Sequence, residues 1–193
     1  WVTDLAGNQS KVTTFITVQD NHGLCPDNGR IVIAGNVYTE ENAKVSNTKI
    51  ILDGGETEGS FMTNDNGQYH FDDLAMYNNY QLLPYKDDQA TEGISTLDLV
   101  LIQRHILGIE RLNSPYKMIA ADANNSSSVT ASDIIELRKL ILGVNTKLPN
   151  NTSWRFVDAA YVFDDMTQPW PFAEALNYDG LETSMNASDF IAV

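Results

Sequence analysis

The chain has 193 residues, 42% of them hydrophobic, which is enough apolar material for folded cores and argues against general disorder. Acidic residues outnumber Lys and Arg by 26 to 12, and the resulting net charge of −14 argues against binding to nucleic-acid phosphates or anionic membranes. Aliphatic runs such as Leu99–Ile102 are far too short to span a bilayer.

Residues 1–27 are predicted to form a hairpin followed by a linker. Apolar residues at 1–3 and 13–18 flank a turn-forming stretch at 4–8. The single cysteine, Cys25, excludes a disulfide within this sequence. Because the chain begins and ends on strand-like residues, we expect it to be a segment of a longer polypeptide.

Short strands separated by turns predict a small antiparallel β-sandwich over residues 28–86. Asp65-Asn66-Gly67 is the strongest hairpin signal, because a primed turn needs positive φ angles at its centre. The predicted strands are Ile31–Ile33, Val37–Tyr38, Lys49–Leu52, Phe61–Met62, Tyr69–Phe71 and Tyr80–Leu83.

Helical periodicity predicts two helices, at 96–107 and 131–142, and a glycine follows each of them. Shifting the chain by 35 residues aligns 95–108 with 130–143 and superimposes the helix-start Asp and the closing Ile-Leu-Gly, which indicates a duplication. We expect the apolar faces of the two helices to pack antiparallel, Leu99, Ile102 and Ile106 against Ile134, Leu137 and Ile141.

An oxygen-rich loop precedes each predicted helix. Its oxygen-bearing residues fall at positions 1, 3, 5, 7, 9 and 12, the spacing with which a twelve-residue loop surrounds Ca²⁺, position 7 using its backbone carbonyl. Two charged ligands in each loop predict a Kd of about 10⁻⁴–10⁻³ M. The alternative is a pair of polar turns in which Asp98 and Asp133 only cap the helices. The candidate ligands are Asp87, Gln89, Thr91, Gly93, Ser95 and Asp98 in the first loop, and Asp122, Asn124, Ser126, Ser128, Thr130 and Asp133 in the second.

Residues 87–146 resemble the dockerin family in this duplicated loop–helix pattern, with each loop ending in Asp. The resemblance implies two calcium sites and a cohesin partner that docks near loop positions 10 and 11 and on exposed basic residues of the helices. Position 6, where such loops favour Gly, is Glu92 in one loop and Ser127 in the other, and Gln89 is a longer ligand than usual. The implied docking residues are Thr96, Leu97, Ala131, Ser132, Arg104, Arg138 and Lys139.

The remaining modules have resemblances of their own. The segment 63–74, with its Asp-Asn-Gly-x-Tyr-x-Phe-x-x-Leu stretch, is similar to carboxypeptidase-regulatory or Cna-B-type sandwiches, and residues 1–20 resemble the last hairpin of an Ig-like module. Residues 147–193 are predicted as a β-rich segment with strands at 154–157, 160–163 and the end. The predicted fold class is therefore multidomain and mainly β, with one two-helix calcium module, as in large secreted surface proteins of Bacteroidota-type bacteria.

The three histidines lie on a linker, a strand and a helix, so no catalytic group of residues is indicated. We favour a non-catalytic, calcium-stabilised, extracellular structural or adhesive segment, which would assemble head to tail into filaments if residues 1–20 added a strand to another copy. The alternative is a dockerin that anchors a secreted protein to a cohesin-type partner. Neither function involves nucleic acid or membrane insertion.

Overall fold

The computed structural model describes residues 2–3, 9–10, 29–55, 58–88 and 90–193, the first four by their backbone only. The described part is mainly β, with two four-stranded sheets and three helices. The strands are β1 (Val2–Thr3), β2 (Gln9–Ser10), β3 (Arg30–Thr39), β4 (Lys49–Asp53), β5 (Gly59–Met62), β6 (Gln68–Ala75), β7 (Asn78–Tyr85), β8 (Phe156–Asp158), β9 (Leu176–Leu181) and β10 (Phe190–Ala192). The helices are α1 (Thr96–Ile106), α2 (Pro115–Ala121) and α3 (Ala131–Ile141).

The two four-stranded sheets share one hydrophobic core. The first has the order β6-β3-β10-β8, in which only β3 and β10 are parallel, and the second has the antiparallel order β5-β4-β7-β9. Along β3 buried and partly exposed residues alternate, because successive side chains of a strand point to opposite faces. We call these strands and their core the two-sheet unit. Its fully buried side chains include Ile33, Val37, Tyr69 and Phe190 from the first sheet and Ile50 and Leu82 from the second.

The last three strands are paired within these two sheets. Strand β10 lies between β3 and β8, and β9 pairs with β7. The sequence analysis treats 147–193 as a segment by itself, because local pattern does not reveal pairing with strands far away in the chain. The strand predicted at 160–163 is not formed, and Val162 there is 82% exposed, so its apolar alternation has no sheet to join.

The turn predicted at Asp65-Asn66-Gly67 is present, but it does not close a hairpin. Gly67 has a φ of 70° and its N–H donates to the Asn64 carbonyl at 2.8 Å. The flanking strands β5 and β6 belong to different sheets, so the turn carries the chain from one sheet to the other. A glycine turn fixes the local change of direction and leaves open which strands are paired.

At the N-terminal end, β1 pairs antiparallel with β2, Val2 opposite Ser10. The predicted second strand at 13–18 and the turn at 4–8 lie outside the described residues.

Helices α1 and α3 confirm the two predicted helices, each one residue shorter at its end. Helix α2 is absent from the prediction, although Ser114 caps it by accepting from Tyr116 N–H and Pro115 occupies its first turn. Within the predicted helix contact, Ile106 is 38% exposed, and neither Ile106 nor Ile141 takes part in the small core. That core is formed by Ile102, Ala121, Ala123 and Leu137, with Leu99 and Ile134 packed against it.

Among the described residues, no helix has both the length and the apolar character needed to cross a membrane.

Candidate metal centre

The second loop encloses two carboxylates that are fully buried. Asp122 and Asp133, at positions 1 and 12, each have 0% of their surface exposed. Asp122 accepts the backbone N–H of Ser126 at one oxygen and of Ser127 at the other, both at 2.8 Å. These bonds fold the first half of the loop around the carboxylate.

Asp133 closes the loop from its other end. Its Oδ1 accepts Asn124 N–H at 3.1 Å, and its Oδ2 accepts Thr130 N–H at 2.8 Å. The second bond belongs to a capping box at the start of α3. A residue at the helix start thus reaches back over the loop, so positions 3, 9 and 12 lie close together.

Further oxygens at this loop fit a hard cation. Asn124 Oδ1 is buried and has no hydrogen-bond partner, which is costly for a polar atom unless something else binds it. The Ser126 hydroxyl lies 3.0 Å from the Ser128 hydroxyl and 3.3 Å from the Ser128 carbonyl oxygen. This donor set consists of carboxylate, amide, hydroxyl and carbonyl oxygens, the ligands that Ca²⁺ prefers.

The two buried carboxylates also lack a counter-charge among the described residues, since no Lys, Arg or His forms an ion pair with either of them. Burying two like charges without a cation is strongly unfavourable. A divalent ion would supply both the missing charge and a partner for Asn124 Oδ1. The residues of the second loop therefore fit calcium.

The backbone of this loop has the required sharp turn in spite of its sequence. Ser127 stands at position 6 with a φ of 60°, and Asn125 has a φ of 58°. Glycine adopts this left-handed conformation without strain, whereas serine does so at some cost. The two N–H bonds to Asp122 from Ser126 and Ser127 offset that cost.

The first loop is arranged differently. Asp87, at position 1, bonds to residues much later in the chain: Oδ2 accepts from Lys147 Nζ at 2.7 Å, while Oδ1 accepts Ser153 N–H at 3.1 Å and Ser153 Oγ–H at 2.9 Å. Both partners belong to residues 147–155, which we call the return segment because it leads from α3 back to β8. None of these bonds joins Asp87 to another of the described predicted ligands of its loop.

The remaining predicted ligands of the first loop are near the helix start or exposed. Asp98 accepts Ser95 N–H at 2.7 Å and Ser95 Oγ–H at 2.8 Å, which makes a capping box, and it is only partly buried. Thr91 and Gly93 are exposed, and Gln89 lies outside the described residues. The left-handed residue of this loop is Gly93, with a φ of 78°, at position 7.

The contact with Lys147 makes the stability of the chain depend on pH through Asp87. The Lys147 ammonium, followed by the bonds from Ser153, holds the pKa of this carboxyl below its ordinary value, and the same contact raises the pKa of Lys147. An acid with a lowered folded-state pKa stabilises the fold above its unfolded pKa, about 3.9, and the effect is lost as the pH falls through the folded-state value. We therefore expect Asp87→Asn to lower the urea midpoint relative to the unsubstituted chain at about pH 6, and the difference to shrink as the pH falls below about 4 and through the folded-state value. A difference that persists unchanged at the lower pH would contradict this role.

The helices carry a duplicated exposed stripe that the sequence analysis identified only in part. Spacings of three and four residues place four side chains on one face of α1 and of the residue that follows it. These residues are Leu97, Val100, Arg104 and Leu107. Their partners at the 35-residue offset are Ser132, Ile135, Lys139 and Leu142 on α3.

The apolar members of both stripes are half or more exposed. Leu97 is 62%, Val100 51% and Ile135 51% exposed. The helical periodicity of the apolar residues predicts the buried face of each helix, so it gave no prediction for most of these exposed residues. Comparing the repeats at their outward positions would have revealed the shared apolar-basic-apolar order.

The comparisons with known proteins agree with this geometry. Residues 91–142 match the family model of the dockerin type I domain, and no curated protein matches the chain. Dockerin type I domains are non-catalytic modules that bind calcium and interact with cohesin partners. The match begins after Asp87. The resemblance to dockerins is thus confirmed for residues 91–142, a dockerin-like module with an oxygen-rich second loop that fits calcium.

Proposed function

We propose that residues 87–146 form a calcium-dependent docking module that anchors the chain to a cohesin-type protein. In this proposal one Ca²⁺ binds in the second loop, and its ligands are Asp122, Asn124, Ser126, Ser128, Thr130 and Asp133. The ion fixes the start of α3 and so positions the exposed stripes of both helices. Calcium is a folding ligand here, and the docking itself is made by side chains.

The single observation that carries the calcium assignment is the buried pair Asp122 and Asp133, which has no ion-pair partner among the described residues and lies in the same loop as the unpartnered Asn124 oxygen. A polar turn that only capped a helix would gain nothing from burying a second carboxylate. The capping role of Asp133 uses one of its oxygens, Oδ2, and leaves Oδ1 to the loop. The alternative of a merely polar turn is therefore less favourable for this loop.

The exposed stripes support the docking role. Apolar side chains that flank a basic residue on a helix suit a partner surface with an apolar centre and an acidic rim. The α1 stripe has three exposed apolar residues, while in the α3 stripe Ser132 replaces the first of them. We infer that the α1 stripe contributes more to binding, and that the two stripes are not interchangeable.

The experiment that tests this function is a binding measurement with immobilised cohesin-type modules, using the full chain in millimolar calcium and again in excess chelator. We expect binding to at least one of these modules in calcium and its loss in chelator. Failure of the calcium-loaded chain to bind any cohesin-type module would contradict the proposed partner.

Substituting Val100 by Asp is expected to weaken that binding by about ten- to a hundredfold, because it places an unpaired charge at the apolar centre of the contact. Ile135→Asp, at the matching position of α3, should weaken it less. Val162→Asp, at an 82% exposed position outside the module, serves as the control and should leave the affinity unchanged. Equal affinities for the Val100 variant and the unsubstituted chain would exclude the α1 stripe from the interface.

We also propose that the two-sheet unit is a carboxypeptidase-regulatory or Cna-B-like sandwich that carries the docking module on a secreted surface protein. The support is the Asp-Asn-Gly-x-Tyr-x-Phe-x-x-Leu segment and the core shared by the two sheets. In this proposal residues 28–86 form the sandwich together with strands from 147–193, residues 87–146 form the inserted module, and residues 1–27 belong to a preceding Ig-like unit.

The favoured expectation of a head-to-tail filament has less support than the docking function. The family match favours an anchoring module, and it gives no support to association with other copies of the chain. Strand donation depends on residues 1–20, of which the structure describes only the backbone of 2–3 and 9–10.

A further inference from the structure

The return segment contacts both loops of the docking module, but in different ways. At the second loop Asn151 Nδ2 donates to the backbone oxygen of Asp122 at 3.0 Å, and Arg155 Nη1 donates to Asn125 Oδ1 at 2.7 Å. Neither contact uses a carboxylate of that loop. At the first loop the return segment instead brings a cation, Lys147, directly to the position-1 carboxylate.

We propose that Asp87 is a clamp between the docking module and the two-sheet unit, with the Lys147 ammonium as its cation, and that the chain consequently binds one calcium ion, in the second loop. We call Asp87, Lys147 and Ser153 the Asp87 clamp. The inference on stoichiometry rests on the proposed calcium function of the second loop. The inference on the clamp stands on contacts of its own.

Both oxygens of the Asp87 carboxylate already have hydrogen-bond partners. Each of its oxygens has a partner in the return segment, and the side chain is only 15% exposed. Binding calcium there would require breaking a 2.7 Å charge-assisted bond to Lys147 and two bonds to Ser153. Charge-assisted bonds are about twice as strong as neutral ones, so this exchange is costly for a weakly binding loop.

The two loops also differ in backbone shape. The left-handed residue that gives a calcium loop its sharp turn is Ser127, at position 6, in the second loop and Gly93, at position 7, in the first. A turn displaced by one residue changes which carbonyl and side-chain oxygens point inward. Asp98 is also partly exposed, whereas its counterpart Asp133 is fully buried. The two loops have therefore diverged in backbone as well as in sequence.

The Asp87 clamp lies where the docking module joins the two-sheet unit. Asp87 lies just after β7, where the chain enters the module, while Lys147 and Ser153 lie where it leaves. The clamp therefore ties together the two crossings between the module and the two-sheet unit. A cleft of about 630 Å³ that opens to solvent, lined by Ile94 and Leu101 of the module and by Trp154, lies at this junction. Apolar contact across the junction is therefore not continuous, and the polar bonds of the clamp help to set the orientation of the module.

The test combines calcium stoichiometry with amide hydrogen exchange, both on the full chain. Titration calorimetry with CaCl₂ should give one ion per chain, one ion for Asp87→Ala, and none for Asp122→Ala. In calcium, Asp87→Ala and Lys147→Met should each accelerate exchange of the Ser153 amide about tenfold, the effect of losing one hydrogen bond of ordinary strength. Asp88→Ala is the matched control, because it removes a neighbouring, 51% exposed carboxylate that pairs with Lys86, and it should leave that exchange unchanged.

The outcomes separate this proposal from the docking function. Two ions per chain, falling to one in Asp87→Ala, would overturn the clamp and restore Asp87 as a ligand. Unchanged exchange at Ser153 in both the Asp87 and Lys147 variants would overturn it as well. If the unsubstituted chain took up no calcium, the calcium function and the stoichiometry would fail together, and the exchange result alone would decide the clamp.

Discussion

Asp133→Ala is expected to destabilise the docking module by about 3–4 kcal/mol in calcium at about 100 times its Kd, and by no more than about 1 kcal/mol in chelator, where its removal also relieves the repulsion with buried Asp122. An ion bound at that concentration contributes about 2.7 kcal/mol to the free energy of unfolding. The smaller loss in chelator is the helix cap, since Asp133 Oδ2 accepts Thr130 N–H. Urea unfolding followed by the helical circular dichroism signal measures this difference, because the described helices all lie between residues 96 and 141.

Asp98→Ala is the matched control for this prediction. Asp98 makes the same capping box at the start of α1, with Ser95 N–H at 2.7 Å, but belongs to the loop whose position-1 carboxylate is bound by Lys147. Its loss should cost about 1 kcal/mol with or without calcium. If Asp133→Ala also cost the same in calcium and in chelator, both aspartates would be caps and the second loop would have no role in binding the ion.

The second loop could be predicted from the sequence because the bonds made by its two carboxylates are local. Asp122 and Asp133 are bonded to residues within the same loop, so position and residue type determined the arrangement. The first loop satisfied nearly the same pattern, yet Lys147, sixty positions later in the chain, pairs with Asp87. Spacing can show which oxygens are able to surround a cation, but it cannot show that a distant ammonium already occupies one of them.

The same limit applies to the fold. Capping residues and closing glycines predicted α1 and α3 almost to the residue, whereas α2 was missed because its seven residues are too few to show periodicity. The strands of the two-sheet unit before residue 86 were recognised from alternation and turns, except that the two predicted at Ile31–Ile33 and Val37–Tyr38 are one continuous strand, β3. The pairing of β9 with a strand about a hundred residues earlier, and of β10 with one about 150 residues earlier, carries no local signal.

Phe190→Ala is expected to destabilise the two-sheet unit by about 3–5 kcal/mol, the usual cost of truncating a fully buried phenylalanine. Phe190 is 0% exposed and lies in β10, opposite Val37 of β3 on one side and Asp158 of β8 on the other. The substitution leaves a void in the shared core and loosens a strand that is hydrogen-bonded along both edges. Urea unfolding with hydrogen exchange detected on the peptides of β3 and β7 measures the effect.

The residues in which hydrogen exchange becomes faster test the strand pairing as directly as the loss of stability does. If residues 147–193 were an independent unit, Phe190→Ala would speed exchange only within that segment. Because β10 supplies the neighbour of β3 in the first sheet, exchange should rise in residues 30–39 as well, far from the substituted position in sequence. Val162→Ala, at an 82% exposed position in the same segment, should change stability by less than about 0.5 kcal/mol. Equal, small losses for both variants would contradict the placement of β10 between β3 and β8.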